Sequence, residues 1–168
     1  NFSLSKLNST PFEETEIVTY ELRIGENQES KYYVCVGVGE TKIILPVHII
    51  SNDYFLLPIE KEVPKVFLDF LLIGTEELHI PFVVNSPFFE PTEPRDGISL
   101  TGGTDEDTQK NVAVFNEAFR LYNILLNYVE DKTEWKNLYN LADLRKPKEK
   151  DWVNTSWYEE TYIKPTRE

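Results

Sequence analysis

Arg95 stands among three prolines, Pro87, Pro91 and Pro94, and beside Glu90, Glu93 and Asp96. Each proline fixes its own φ and biases the residue before it away from helix, so a loop with few conformations to lose carries Arg95 and the aromatic pair Phe88-Phe89. A guanidinium stays charged at physiological pH and pairs bidentately with phosphate or carboxylate oxygens. Two uses are open to Arg95: it meets an oxyanion from outside the loop, or it pairs with Asp96, Glu93 or Glu90.

Other chemistry has little material. Two histidines and one cysteine are too few for a nucleophilic triad with alternatives, and the chain has no Walker loop, Gly-x-Ser-x-Gly elbow, His-Glu-x-x-His pair or spaced cysteine set. His48 lies amid Val47, Ile49 and Ile50 and reads as a packed core or edge histidine. His79 follows Glu76 and Glu77 and reads as a solvated strand start, with an acid–histidine general base as the competing use. Asp105, Glu106 and Asp107 could hold a hard cation together with Glu93 or Asp96, but helix capping accounts for them and calcium-loop spacing is absent, so no metal site is expected. Gly37-Val38-Gly39 lacks the third glycine of a phosphate loop and opens no helix; it reads as a hairpin turn.

The elements that position Arg95 can be read from patterning. The run Ile80 to Val84 is apolar on both parities, as in a strand buried on both faces, and Asn85-Ser86-Pro87 ends it because Pro87 has no N–H to donate. After the loop, Asp96-Gly97 turns the chain into the apolar run Ile98 to Leu100. Upstream, Glu16 to Ile24 alternates as a half-buried antiparallel strand, Gly25 to Ser30 is a polar turn, and Lys31 to Gly37 is the hairpin partner. Thr41 to Ile50 is a third strand with an edge or bulge signal at Pro46, and Tyr54 to Leu57 a short fourth, after a turn at Asn52-Asp53. Val66 to Ile73 fits a strand or a buried helical turn.

Thr104-Asp105-Glu106-Asp107 opens a helix, and Val112, Phe115, Phe119, Tyr122, Leu125 or Leu126, and Val129 then recur at helical spacing over about six turns. Glu134 to Leu144 is expected to form a shorter helix. Strands first and helices after predict an α+β fold, a mainly antiparallel sheet packed by one long and one shorter C-terminal helix. Three parts are expected: a lead-in over 1–15 that packs loosely or closes against a missing part, an α+β body over 16–144, and a linker with an aromatic tail over 145–168. Trp152, Trp157 and Tyr162 in that tail either fold back on the body or form a partner surface.

The segment Ile80-Pro81-Phe82-Val83-Val84-Asn85, followed by Phe88-Phe89 and Arg95-Asp96-Gly97-Ile98 and preceded by Phe70-Leu71-Leu72-Ile73-Gly74, resembles the region after the ATP-binding domain in large sacsin-like proteins, relatives of the ninety-kilodalton heat-shock chaperones. The resemblance covers about residues 66 to 100. It implies a middle or transducer-like domain that couples ATP state to a client or partner, with Arg95 reaching the terminal phosphate of ATP; Asn85 is grouped with Trp152, Trp157 and Tyr162 as a candidate partner surface. The loop between Asn85 and Arg95 is longer here than in the chaperones. Asp96-Gly97 and Gly102-Gly103 do not have the Asp-x-Gly-x-Gly spacing of the nucleotide domain, and no upstream helix carries its Glu and Asn. The implied ATP and magnesium therefore belong to the parent protein, with no cofactor in this fragment. The implied partners are the neighbouring nucleotide domain of the same chain and an unidentified client. Two alternatives stand beside this reading: a non-catalytic protein–protein interaction module, and a hydrolase built on Glu90, Glu93 and Asp96.

Composition sets the outer bounds. A chain of 168 residues with 40% hydrophobic and 13% aromatic content can bury a substantial core. A net charge of -12 repels nucleic-acid backbones and anionic lipid at long range, and the one basic cluster, Arg145 to Lys150, reads as a solvated connector. A single cysteine in an apolar run, no membrane-length apolar stretch and no signal-peptide pattern predict a cytoplasmic protein. The chain begins at Asn1 and contains no methionine, which suggests a piece of a longer protein.

Overall fold

A computed structural model describes residues 1–26, 29–68 and 70–167. Parts of the Gly25–Ser30 turn and of the Val66–Ile73 run, and the last residue of the tail, lie outside the described residues. The fold is α+β, as the order of patterns predicts. Four long antiparallel strands run consecutively: β1 (Phe2–Phe12), β2 (Thr15–Ile24), β3 (Glu29–Val38) and β4 (Thr41–Ile50). The turns are tight for a local reason. Glu13 and Glu14 (φ 45° and 64°) and Ser51 and Asn52 (φ 51° and 71°) both take left-handed conformations, whose twist suits two-residue hairpins. The second of these turns therefore falls one residue before the expected Asn52-Asp53.

β4 is shared along its length. Its C-terminal half pairs with β5 (Asp53–Leu56), and its N-terminal half pairs with β7 (Val83–Asn85). β6 (Val66–Phe67) runs parallel to β7, and β8 (Trp135–Lys136) parallel to β5. Among its described residues, the Val66–Ile73 run thus supplies a two-residue strand. The expected helix over 134–144 is replaced by β8 and a short 3-10 turn, Leu138–Ala142, because Trp135 stacks on Tyr54 at 4.7 Å and holds the segment extended against β5.

The lead-in is not loose. It forms β1, an edge strand in register with β2 along its whole length apart from a bulge at Leu7. The tail is likewise part of the body. Residues 155–167 form a shorter helical segment, α2, with a π turn at Glu159–Ile163, and Tyr158, Tyr162 and Ile163 are buried.

The long helix α1 (Glu106–Val129) lies on one face of the sheet. Its N-cap is Asp105, whose side chain accepts from Thr108 N, one residue later than a cap at Thr104. Its buried stripe contains the expected Phe115, Phe119, Tyr122, Leu125 and Val129, widened by Val114, Ala118, Leu121 and Ile124. Ile17, Val34, Val36, Ile43, Leu45 and Val47 meet it from the sheet. Aromatic rings fill the space between α1, the β7 segment and α2: Phe82 lies 5.5 Å from Phe119, which stacks on Tyr162 at 4.8 Å. Edge-to-face and offset pairs of this kind add to the area term of burial.

Candidate functional site

The loop that carries Arg95 is a hairpin gripped from below. Pro91 and Ile98 form an antiparallel bridge, Thr92 N donates to Gly97 O at 2.9 Å, and Arg95 N donates to Thr92 O at 2.8 Å. Thr92 also uses its side chain: Oγ1 donates to Asp96 Oδ1 at 2.8 Å and accepts from Asp96 N at 3.2 Å. Pro94 and Arg95 complete the turn, with Arg95 itself left-handed at φ 56°, a conformation that costs a non-glycine residue energy and persists only when its surroundings hold it.

Three neighbours supply that hold. Asn111, fully buried on α1, accepts from Glu90 N at 2.8 Å and donates to Glu90 O at 3.1 Å, clamping the entrance of the loop to the helix. Thr108, one turn earlier, bonds Ser99 Oγ at 2.7 Å at the loop's exit. Trp152 lies flat on Gly97, so close that a β-carbon there would fall inside the indole, and Leu100 N donates to Trp152 O at 2.7 Å. Gly74, at φ 116°, lets the backbone of Asp96 pass at the same close range.

The Arg95 side chain projects from this frame. Its guanidinium sits 5.4 Å from the centre of the Phe70 ring, a cation–π arrangement, and it forms no ion pair among the described residues. Glu90, one of the carboxylates expected to compete for it, faces Lys110 at 3.6 Å, and Asp96 is taken by Thr92. Among the described residues, Arg95 is therefore not ion-paired with Glu90, Glu93 or Asp96.

The adjoining cleft, about 490 Å³, is lined by Thr92, Pro94, Asp96, Ser99, Glu149, Lys150, Asp151 and Trp152. Three carboxylates against one ammonium make it a poor seat for a triphosphate.

The other predicted residues are placed differently. Asn85 is half-buried at the end of β7, where its backbone pairs with Lys42 and Phe67. Trp152 (5% exposed) and Tyr162 (3%) are core residues, and Trp157 packs edge-on against Tyr162 at 5.6 Å. Trp152 and Tyr162 are thus taken up inside the fold, one covering Gly97 and the other stacking on Phe119, while Trp157 is half-buried. His48 lies exposed on the outer face of β4 and not in the core. His79 is half-buried; desolvation, then the nearby cations Arg145 and Lys65, hold its imidazole below the usual range. The Cys35 thiol is pushed up to about 11 by burial, which removes its nucleophilic form at neutral pH.

Asp105 caps α1, and Thr108 hydrogen bonds keep its carboxyl below the ordinary range. No group of three or more potential metal ligands occurs among the described residues. No helix among the described residues is long and apolar enough to cross a membrane.

Sequence reasoning missed the residues that grip the loop. Asn111 and Thr108 continue the stripe of Phe115, Phe119 and Tyr122 towards the helix start, so two polar side chains on an apolar face were the available signal. The chain matches no family model, no curated protein and no solved structure.

Proposed function

We propose that this chain is a coupling domain that presents Arg95, on a braced hairpin, to an anionic ligand held by a neighbouring domain of a chaperone-like ATPase of the sacsin type. The observation that carries the reading is the combination of a clamped backbone at Thr92–Gly97 with a guanidinium that forms no ion pair among the described residues. The left-handed backbone at Arg95 is held in a loop packed against α1, Trp152 and Gly74, so the guanidinium is presented from a fixed turn. The acid-lined cleft beside the loop supports a reading in which the nucleotide and its magnesium are held by the neighbour. Arg95 would then neutralise charge on a terminal phosphate as a planar bidentate donor.

The test is ATP turnover by the parent protein carrying Arg95→Ala or Arg95→Lys. Loss by roughly a thousandfold in the alanine variant, with partial recovery in the lysine variant, is the expected result. Unchanged turnover removes the role.

A second reading, a non-catalytic interaction module, is favoured by a different observation. On the outer face of the sheet a groove of about 360 Å³ is lined by Tyr33, Ile44, Pro46, Leu57, Ile59 and Val83 among others, and none of the described helices covers it. Binding of the purified nucleotide domain that survives Arg95→Ala and is lost on Ile44→Asp would support that reading.

A further inference from the structure

We infer that β1 is a self-association edge, through which two copies of this chain pair antiparallel about a two-fold axis at Leu4. β1 is one end of the sheet, with β2 on one side and no strand among the described residues on the other. Its side chains are correspondingly bare: Phe2 is 79% exposed and Leu4 61%.

The direction of its free hydrogen-bonding groups follows from one bond. Gly25 N donates to Asn1 O at 2.9 Å, so Asn1 and Gly25 form a hydrogen-bonded pair. In an antiparallel ladder these pairs alternate with non-bonded ones, and the register Phe2↔Ile24, Leu4↔Leu22, Lys6↔Tyr20 then leaves the N–H and C=O of Phe2, Leu4 and Lys6 pointing to the open side. Such a row is a template for another strand unless charge, proline or a bulge blunts it. β1 has its bulge at Leu7 and its proline at Pro11, both beyond this segment.

A second copy is the occupant that charge and sequence select. The chain carries a net charge of -12, so two copies repel over most of their surface, yet residues 1–12 contain no acidic side chain and a single lysine. The segment is also self-complementary. With the two-fold at Leu4, the two Leu4 side chains face each other and Phe2 lies opposite Lys6 of the second copy, an aromatic–cation pair on the outer face. Ser3 lies opposite Ser5 on the other face. Every outward-facing N–H and C=O of residues 2–6 finds a partner in that register, as an isologous interface requires.

Sedimentation equilibrium on the 168-residue chain tests this, together with a Leu4→Lys variant that places two ammonium groups at the axis. The native chain is expected to dimerise in the micromolar range, and the variant to lose about 100-fold in affinity with an unchanged melting temperature. A monomeric native chain, or a dimer that Leu4→Lys leaves intact, overturns the inference. Should the variant fail to fold, Leu4→Cys in a Cys35→Ser background gives a second readout. Oxidation should link the two copies at position 4, where an antiparallel pair stands within disulfide range, whereas Ser9→Cys in the same background should not. Equal cross-linking at both positions also overturns it.

Discussion

Under α1 the sheet is sealed, with Ile43 at 0% exposure and Leu45 at 1%, whereas along β1 the same kind of side chain stands in solvent, Phe2 at 79% and Leu4 at 61%. Both regions are regular antiparallel sheet with strands of ten or eleven residues. The difference lies in the second layer. β3 and β4 have α1 above them and Phe12, at the end of β1, packs edge-on against Tyr128 of α1, while the start of β1 and the end of β2, Arg23 and Ile24, are exposed. Hydrogen-bonded ladders form either way; burial, and with it most of the stabilisation, depends on what packs on top. The covered part is thus the scaffold that fixes the Arg95 hairpin, and the uncovered part is surface available for association.

The sharpest way to break this contrast is to remove an aromatic ring from each region. Phe115→Ala, at a fully buried site in the aromatic cluster, is expected to cost about 3–5 kcal/mol in urea unfolding, whereas Phe2→Ser should stay within about 0.5 kcal/mol of the native chain. Comparable losses at the two positions would mean that β1 is as integral as the core.

A smaller effect probes the seam where the scaffold meets the loop. Gly97→Ala drives a methyl into Trp152 and should cost about 1–3 kcal/mol while loosening the Arg95 turn, read as faster amide exchange at Arg95 and Asp96. Unaltered exchange there would show that Trp152 does not brace the hairpin.

In the opposite direction, Tyr158→Phe removes a hydroxyl that is fully buried and has no hydrogen-bond partner among the described residues. The ring packing survives and the desolvated oxygen is gone, so the variant should be more stable by roughly 1 kcal/mol. A loss of stability would indicate that the hydroxyl is satisfied in solution.

The mildest test is acid. His79 is held below its ordinary 6.5, first by burial and then by Arg145 and Lys65, so the fold favours the neutral imidazole. Its contribution is therefore complete above about pH 6.5 and is lost as pH falls through the folded-state value, because the unfolded chain takes up the proton first. His79→Gln should flatten the melting-temperature profile between about pH 7 and pH 5, and a profile identical to the native one would assign that slope to other groups.

Patterning alone made much of this legible. The α+β class, the hairpins of β2 to β4 and the centre of the inward stripe of α1, Phe115, Phe119, Tyr122, Leu125 and Val129, follow from periods of two and 3.6 residues, which local sterics impose wherever the chain goes. The stiffness of the Arg95 loop was equally local, because proline limits φ without help from neighbours.

What local reasoning could not supply were choices among equally good local states. Residues 134–144 had a helical pattern and became β8 and a 3-10 turn because Trp135 found Tyr54 across the sheet. In β2 the more polar parity, Ile17, Thr19 and Glu21, is the more buried one, and the apolar parity ending in Leu22 and Ile24 turns outward. Nor could spacing show that Asn111 and Thr108 clamp the loop, that Trp152 covers Gly97, or that Arg95 stands clear of its neighbouring acids. The contacts among these join residues from nine to more than fifty positions apart, and a contact of that kind forms only when the whole fold places both partners. The amino-acid sequence determined the elements and the stiff loop; the tertiary structure decided which faces were buried, which edge stayed open and what the arginine was free to meet.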